Sequence, residues 1–390
     1  MKVLLISNYA SDAQESMVRF ANLLFSGLKT AGIQVEMIRP EAVLGRIVGR
    51  TASGWAKWVG YLDKFLLFPW RLRRRLAVFR RQLRTPAGHI IHICDHSNAM
   101  YAQAVAGFPV VATCHDLLAV RGALGEATDC PASRTGVLLQ RWILRGLSRA
   151  CAIVCDSSAT EEDVKRLVSG ADRKLISVVH VGMNYPYRVL KREEIVSRLK
   201  EVPRLANLAG GAYVLHVGSN ALRKNRAALI RIMAILGGQW NGSLVLAGEG
   251  LSPELRKTAE ELNVLNRIVE VERPDNELLE ALYNAASLLV YPSTHEGFGW
   301  PLIEAQACGC PVVCSDAGPF KEIVGDSAWR IPVEKEGAFA EAVVKVLHPT
   351  ARQEWVDKGL ENAKRFDSRR MVDRYLEVYK ELEQRYQSSN

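Results

Sequence analysis

No apolar run in the 390 residues approaches the ~20 needed to span a bilayer. The first such run, Val3 to Ile6, gives way at once to Asn8, Ser11 and Asp12, which suits a buried strand better than a secretion signal. Eight cysteines are present, yet none forms a CxxC pair, and Cys308, Cys310 and Cys314 have no neighbouring histidine. The paired spacings of a structural zinc site are therefore missing. Buried free thiols fit better, and they suit a reducing compartment, the cytoplasm. Gly248-Glu249-Gly250 lacks the third glycine of a dinucleotide fingerprint, since Pro253 stands in its place. No DxD-like pair lies at a strand end, so neither a metal nor another cofactor is expected.

What is there describes a globular chain. Hydrophobic residues make up 48% and charged residues 24%, which argues against disorder, and the length allows two domains with separate cores. The net charge of +9 is uneven, with seven arginines between Arg71 and Arg84. Such a basic balance by itself allows nucleic acid, membrane or an anionic substrate as partner.

Short apolar runs alternate with amphipathic segments, the pattern of βα repeats and parallel sheets. In the first half, residues 3–7, 34–38, 89–93, 110–114, 152–155 and 175–180 read as strands. Residues 17–31 and 157–169 read as helices, the second capped by Ser157 or Ser158. The pattern restarts with strands at 213–217, 243–247, 268–271, 288–291 and 311–314. Helices are expected at 225–236, 253–262, 276–285 and 301–308. A polar stretch, Lys191 to Gly211, separates the two series. The expected fold class is thus α/β, with two Rossmann-like domains: 1–195, 196–365, and a helix in 366–390 that crosses back to the first. Two open parallel sheets facing each other make a deep cleft, with ligands beyond the carboxyl ends of the strands.

The most informative stretch is 291–316, YPSTHEGFGWPLIEAQACGCPVVCSD. It parses as strand, glycine loop, helix, strand. Gly297 and Gly299 let backbone approach a ligand, and Pro301 suits a first helical turn. The helix N-terminus then favours an anion such as a diphosphate. Glu296 precedes the loop and Glu304 lies within the helix. Taken singly these pieces are ordinary, because glycine turns before helices are common and glutamate is a default surface residue. The whole string is far more specific.

This string resembles the E-x7-E signature of the large retaining glycosyltransferase family 4, whose members have the GT-B fold. The resemblance runs through nearly the whole chain and is strongest from Tyr213 to Val333. It implies that Glu296 contacts the donor sugar and Glu304 the ribose hydroxyls. The backbone of Gly297, Phe298 and Gly299 would hold the sugar and distal phosphate. Residues 217–225, VGSNALRKN, are similar to the family stretch that holds the donor diphosphate, which assigns Arg223 and Lys224 to that role. Cations there would stabilise the charge that grows on the leaving group. Residues 112–118, ATCHDLL, are similar to a His-Asp stretch that sets His beside the donor sugar, so His115 is assigned to catalysis, while Asp116 is expected to orient the loop or His115. His96 and Asn98 are candidates for the acceptor side. Two departures stand out: Ser219 occupies a place often held by arginine, and SNYASDAQES at 7–16 replaces a Gly-Gly loop.

The resemblance implies a metal-independent transferase that moves a sugar, with retention, from a GDP- or UDP-sugar to a glycan or lipid-linked acceptor, in cell-surface polysaccharide synthesis. Rival readings are a non-hydrolysing nucleotide-sugar epimerase, which would convert donor alone, and a non-enzymatic basic protein that binds membrane or nucleic acid. No nucleic-acid module is present, and no nucleic-acid partner is expected. In Arg71–Arg84, however, Leu72, Leu76, Phe79 and Leu83 recur at helical spacing among the arginines, after a segment rich in Trp and Tyr. A basic amphipathic helix of this type lies on an anionic leaflet, and the expectation is a peripheral protein at the inner face of the cytoplasmic membrane. The alternative is an ordinary helix with its apolar side in the core.

Overall fold

The computed structural model describes residues 1–9, 14–43, 60–82, 88–200 and 212–388. It contains two units: Met1–Asn184 together with Ser368–Asn390, and Tyr185–Asp367.

The first unit is built on six parallel strands: β1 (Lys2–Ile6), β2 (Gln34–Ile38), β3 (His89–Ile93), β4 (Val110–Cys114), β5 (Ala152–Cys155) and β6 (Leu175–Val178). Their order is β2-β1-β3-β4-β5-β6. β4 and β5 are buried at every residue, as expected of strands covered by helices on both faces. The second unit repeats the design with β7 (Tyr213–Gly218), β8 (Ser243–Gly248), β9 (Ile268–Glu272), β10 (Leu288–Tyr291), β11 (Val312–Ser315) and β12 (Trp329–Ile331). Its order is β12-β11-β10-β7-β8-β9. Each unit is therefore the doubly wound α/β type expected from the alternating pattern.

In both sheets the order reverses beside the first strand of the series. The reversal lies between β1 and β3 in the first unit and between β7 and β10 in the second. Helices leave the sheet on opposite faces there, and the loops after the two strands diverge to leave a crevice.

The first unit ends at Asn184, ahead of the expected boundary at 195. The reason is hydrogen bonding: the backbone N–H of Arg188 donates to Glu280 at 2.9 Å and that of Leu190 to Asn284 at 2.8 Å. The supposed polar linker also contains the helix Arg192–Lys200, whose Arg198 pairs with Glu280 at 2.6 Å. The last helix, Ser368–Ser388, belongs to the first unit. Tyr375 and Tyr379 are buried there, and their hydroxyls meet Thr113 at 2.9 Å and His92 at 2.6 Å.

The basic segment is helical, a π-turn Asp63–Leu67 running into the helix Phe68–Gln82. The side expected on a leaflet is instead inside the protein: Leu72 and Leu76 join the core of the first unit with Phe68. Apolar spacing marked a buried face correctly, but the burying surface is the unit's own core. The side chains of Phe79, Arg80 and Arg81, and residues Leu83 and Arg84, lie outside the described residues, as do Trp55 and Trp58.

Candidate active site

Polar side chains gather at the carboxyl end of each sheet, and in both units side-chain hydrogen bonds join the loops where strand order reverses.

In the second unit, β7 ends at Gly218, and a short 3-10 turn, Leu222–Lys224, follows it. Asn225 closes the turn in the left-handed region at φ 52° and starts the helix Arg226–Leu236. This shape aims Lys224 across the reversal point at the loop after β10. Its Nζ donates to Glu296 Oε1 at 2.6 Å and to the Tyr291 hydroxyl at 2.6 Å, while Tyr291 donates to Glu296 at 3.0 Å. Lys224 and Glu296 are both largely buried, with side chains 13% and 11% exposed, so little water competes for the pair. Burial disfavours the charged amine, but Glu296 and the contacts with Tyr291 outweigh it and raise the Lys224 pKa well above its usual value. A fixed cation stands here at neutral pH.

The arginine neighbouring this lysine sits in the same turn, and its backbone carbonyl accepts from Thr294 N–H at 2.7 Å, tying the two loops together. Arg226, which the sequence did not single out, is 2% exposed. Its guanidinium holds the loop's shape through Gly218 O at 2.6 Å, Glu249 O at 2.7 Å and Asn220 Oδ1 at 2.8 Å. Gly248, the glycine of the failed fingerprint, has a different use. A Cβ there would lie 2.2 Å from the Gly218 carbonyl, so the residue lets β7 and β8 end side by side.

Beyond Glu296, Gly299 adopts φ 106°, and a Cβ on it would meet Phe320 at 3.0 Å and Leu302 at 3.2 Å. Only glycine suits the turn that opens the helix Trp300–Ala307. The Phe298 side chain is 7% exposed and edge-on to Phe366. Glu304 is buried and accepts from the Tyr283 hydroxyl at 2.8 Å. The structure thus brings Lys224, Glu296 and Tyr291 into one cluster and places Glu304 in a separate bond to Tyr283.

In the first unit the bond across the reversal point runs from Asn8 Nδ2, after β1, to Asp95 Oδ2, after β3, at 2.5 Å. Asp95 also accepts from Ser97 N–H and Ser97 Oγ at 2.8 and 2.7 Å, capping the 3-10 helix His96–Gln103. Burial opposes ionisation of Asp95, yet His96, His115 and the bonds from Asn8 and Ser97 hold its pKa below the usual range. Of the two acceptor candidates, His96 lies 3.3 Å from Asp95, and Asn98 is buried with its Nδ2 unpaired.

His115, at the end of β4, is 5% exposed. Its Nδ1 meets Asp156 Oδ2 at 2.6 Å, and its Nε2 donates to the Cys94 carbonyl at 2.9 Å. Phe20 abuts the ring edge-on at 4.8 Å. Burial lowers the His115 pKa, but Asp156, Asp95 and the Cys94 bond override this and raise it to about 9. A carbonyl can only accept, and a carboxylate faces the other nitrogen, so the ring is an imidazolium at neutral pH. Asp116 bonds within its own loop, its Oδ1 accepting from Leu118 N–H at 3.0 Å, while His115 is held by Asp156. Asp156 was not legible as a partner, because a lone acid after a strand carries no sequence signal.

Residues 200–365 match the family described as Glycosyl transferases group 1, and residues 17–182 match the Glycosyl transferase 4-like domain. These two matches fall on the two doubly wound units. The chain belongs to the family 4 glycosyltransferases of GT-B fold. Within this family it is 28% identical over 280 residues to the D-inositol 3-phosphate glycosyltransferase of Mycolicibacterium smegmatis, covering 70% of this chain and 61% of that protein. It is 31% identical over 180 residues to the O-antigen chain mannosyltransferase B of Escherichia coli, covering 45% of this chain and 47% of that protein. The chain thus spans between about half and two thirds of the length of the curated relatives it matches. In fold it is similar to sucrose-phosphate synthase from Thermosynechococcus elongatus, with a TM-score of 0.73 at 22% identity, covering 98% of this chain and 99% of that one. It is also similar to Anabaena HepE solved with UDP and glucose, with a TM-score of 0.71 at 18% identity, covering 98% of this chain and all of that one.

Proposed function

We propose that the protein transfers a sugar from a nucleoside-diphosphate sugar to a hydroxyl of a glycan or lipid-linked acceptor, with retention and without a metal. The observation that carries this reading is the buried Lys224–Glu296–Tyr291 cluster at the β7/β10 reversal point, beside the Gly299 turn and a helix N-terminus.

The chemistry follows from charge. Cleaving the bond between the anomeric carbon and the terminal phosphate oxygen leaves a new negative charge on the diphosphate. Lys224 and Arg223 supply fixed positive charge to that group, with N–H groups of the 297–299 loop around the distal phosphate. Preorganised charge in a site that excludes water is worth most in the transition state. Glu296 holds Lys224 in place and reaches the donor sugar, and Glu304 takes the ribose diol. The acceptor oxygen forms its bond to the anomeric carbon on the face the diphosphate leaves, and its proton passes to the departing phosphate oxygen. His115, an imidazolium whose two N–H groups are held by Asp156 and the Cys94 carbonyl, acts as a fixed positive charge rather than a base, and His96 and Asn98 serve the acceptor.

Supporting a role in surface polysaccharide synthesis are the relatives named as O-antigen mannosyltransferases. Supporting a nucleoside-diphosphate sugar as donor is the fold shared with HepE, which was solved with UDP. Free cysteines, six of the eight buried, suit the cytoplasm. The test is NMR of the product formed from an α-linked donor. An α-configured product supports the reading; a β-configured one contradicts retention, and sugar conversion without an acceptor would make the protein an epimerase.

A further inference from the structure

The basic helical segment buries one side and leaves another bare. On the inner side, Phe65 packs on Trp142, with ring centres 5.4 Å apart, Phe68 packs on Tyr101 at 4.9 Å, and Leu72 and Leu76 complete the row. On the outer side, Leu62, Leu66 and Trp70 are 44%, 63% and 50% exposed. They recur every fourth residue, so they lie on one side of the segment. Arg73 and Arg74, three and four residues after Trp70, follow it on the next turn. The Arg74 guanidinium stacks on the Trp70 ring 3.8 Å from its centre.

The arginines are not equivalent. Arg75 pairs with Glu36 at 2.8 Å and Arg71 with Glu41 at 3.8 Å, which spends part of their charge within the protein. Arg73 and Arg74 have no acidic partner among the described residues. Two leucines and a tryptophan thus lead along one side of the segment to two guanidinium groups that have no acidic partner among the described residues.

We propose that this outer row, Leu62, Leu66 and Trp70 with Arg73 and Arg74, docks the first unit on an anionic lipid leaflet. A row of apolar side chains along a helix meets a plane with all members at once. From residue 62 to residue 74 it extends about 18 Å, at ~1.5 Å per residue. Tryptophan prefers the depth of the lipid headgroups, where its ring is apolar and its edge is wet. An arginine stacked on that ring is carried to the same depth, where lipid phosphates lie. A protein partner would need acidic side chains matched to the two arginines, whereas a leaflet meets exposed apolar side chains and one sign of charge together. The apolar area is small, so attachment is reversible and depends on the arginines, and therefore on salt. Among the described residues no helix is long and apolar enough to cross a membrane, so the contact is peripheral. This inference does not rest on the proposed chemistry.

Flotation of the full chain with vesicles tests it, using phosphatidylcholine alone or mixed with phosphatidylglycerol, at low and high salt. Three variants accompany the wild type: Leu66→Ser/Trp70→Ser, Arg73→Glu/Arg74→Glu, and Arg173→Glu/Lys257→Glu. The last makes the same change in net charge at exposed sites elsewhere. All six positions are solvent-exposed, and thermal melts confirm folding. The wild type is expected to float with the anionic vesicles only, and high salt to release it. Each row variant should bind at least tenfold more weakly, and the remote variant should bind within about threefold of wild type. The proposal is overturned if the wild type fails to float, or floats equally with both vesicles. It is also overturned if the remote variant loses as much as the row variants, or if the row variants float normally. Self-association that needs Trp70, without flotation, would assign the row to a second copy instead.

Discussion

Asp156 sits 2.6 Å from His115 and gives the first unit a titration that can be followed through stability. The folded pKa of His115, about 9, lies above the ordinary 6.5. A group whose pKa rises on folding stabilises most below its unfolded pKa, and the contribution disappears as pH climbs through the folded one. Stability should therefore fall between pH 6.5 and 9 by up to about 3 kcal/mol, at ~1.36 kcal/mol per pKa unit. The groups facing the ring are Asp156 after β5, Asp95 after β3 and His92 within β3, with Phe20 against its edge. Denaturant melts of Asp156→Asn should show lower stability at pH 6.5 and a flatter decline to pH 9. A variant with an unchanged slope would mean that His115 is not the titrating group. Glu296→Gln tests the other cluster. The amide still accepts from Lys224 but no longer carries charge. Turnover should drop about 100-fold, the scale of losing one preorganised electrostatic contact, with donor affinity changed far less. Steady-state kinetics that show equal losses in both would make Glu296 a binding group only.

Among the elements, the last helix, Ser368–Ser388, makes the sharpest claim. The sequence reading expected a helix that returns to the first unit, but it did not show how the helix attaches. It attaches through hydroxyls: Tyr379 to His92 Nδ1 and Tyr375 to Thr113, all four residues buried. Tyr379→Phe should cost about 1–3 kcal/mol, because it leaves a buried ring nitrogen without a partner. Thermal unfolding of that unit measures it, and a cost near zero would contradict the packing. Strands were the most legible elements, since short, mostly apolar runs such as Ile90–Ile93 and Val110–Cys114 have few other uses. β12, only Trp329–Ile331, was missed because three residues show no periodicity. The helix Arg192–Lys200 was read as linker because it buries only Leu199 and looks polar throughout. For Phe68–Gln82 the spacing showed which residues share a face, but not that the unit's own core covers it. In the candidate site, the glycine loop and the Arg-Lys turn were legible as a string. Tyr291, Arg226 and Asp156 were not, since each acts through a fold contact with residues distant in sequence.

At the scale of the whole molecule, the two units use one architecture twice and place a polar bridge at the same topological point, Asn8 to Asp95 in one and Lys224 to Glu296 in the other. Strand order alone marks where a ligand binds, and side chains decide which ligand. The first unit offers a hydrogen-bonding cluster suited to a polyhydroxyl acceptor, and the second a buried cation suited to a diphosphate. Because that cation belongs to the protein, turnover is expected to survive EDTA and to gain less than about twofold from added Mg²⁺ or Mn²⁺. Loss of activity on chelation, restored by either ion, would contradict the role given to Lys224.

The central claim is that Lys224, at the β7/β10 reversal point, receives the diphosphate of a nucleotide sugar. Thermal shift of the full chain in EDTA, against UDP- and GDP-sugars, tests it directly. A donor at one hundred times its Kd adds about 2.7 kcal/mol to stability. For a domain of this size that is roughly 5–10 °C in Tm, at ~2–4 °C per kcal/mol. The account predicts such a shift for at least one donor in the wild type and its near-complete loss in Lys224→Ala. A shift of equal size in both proteins, or none with any donor, would contradict it.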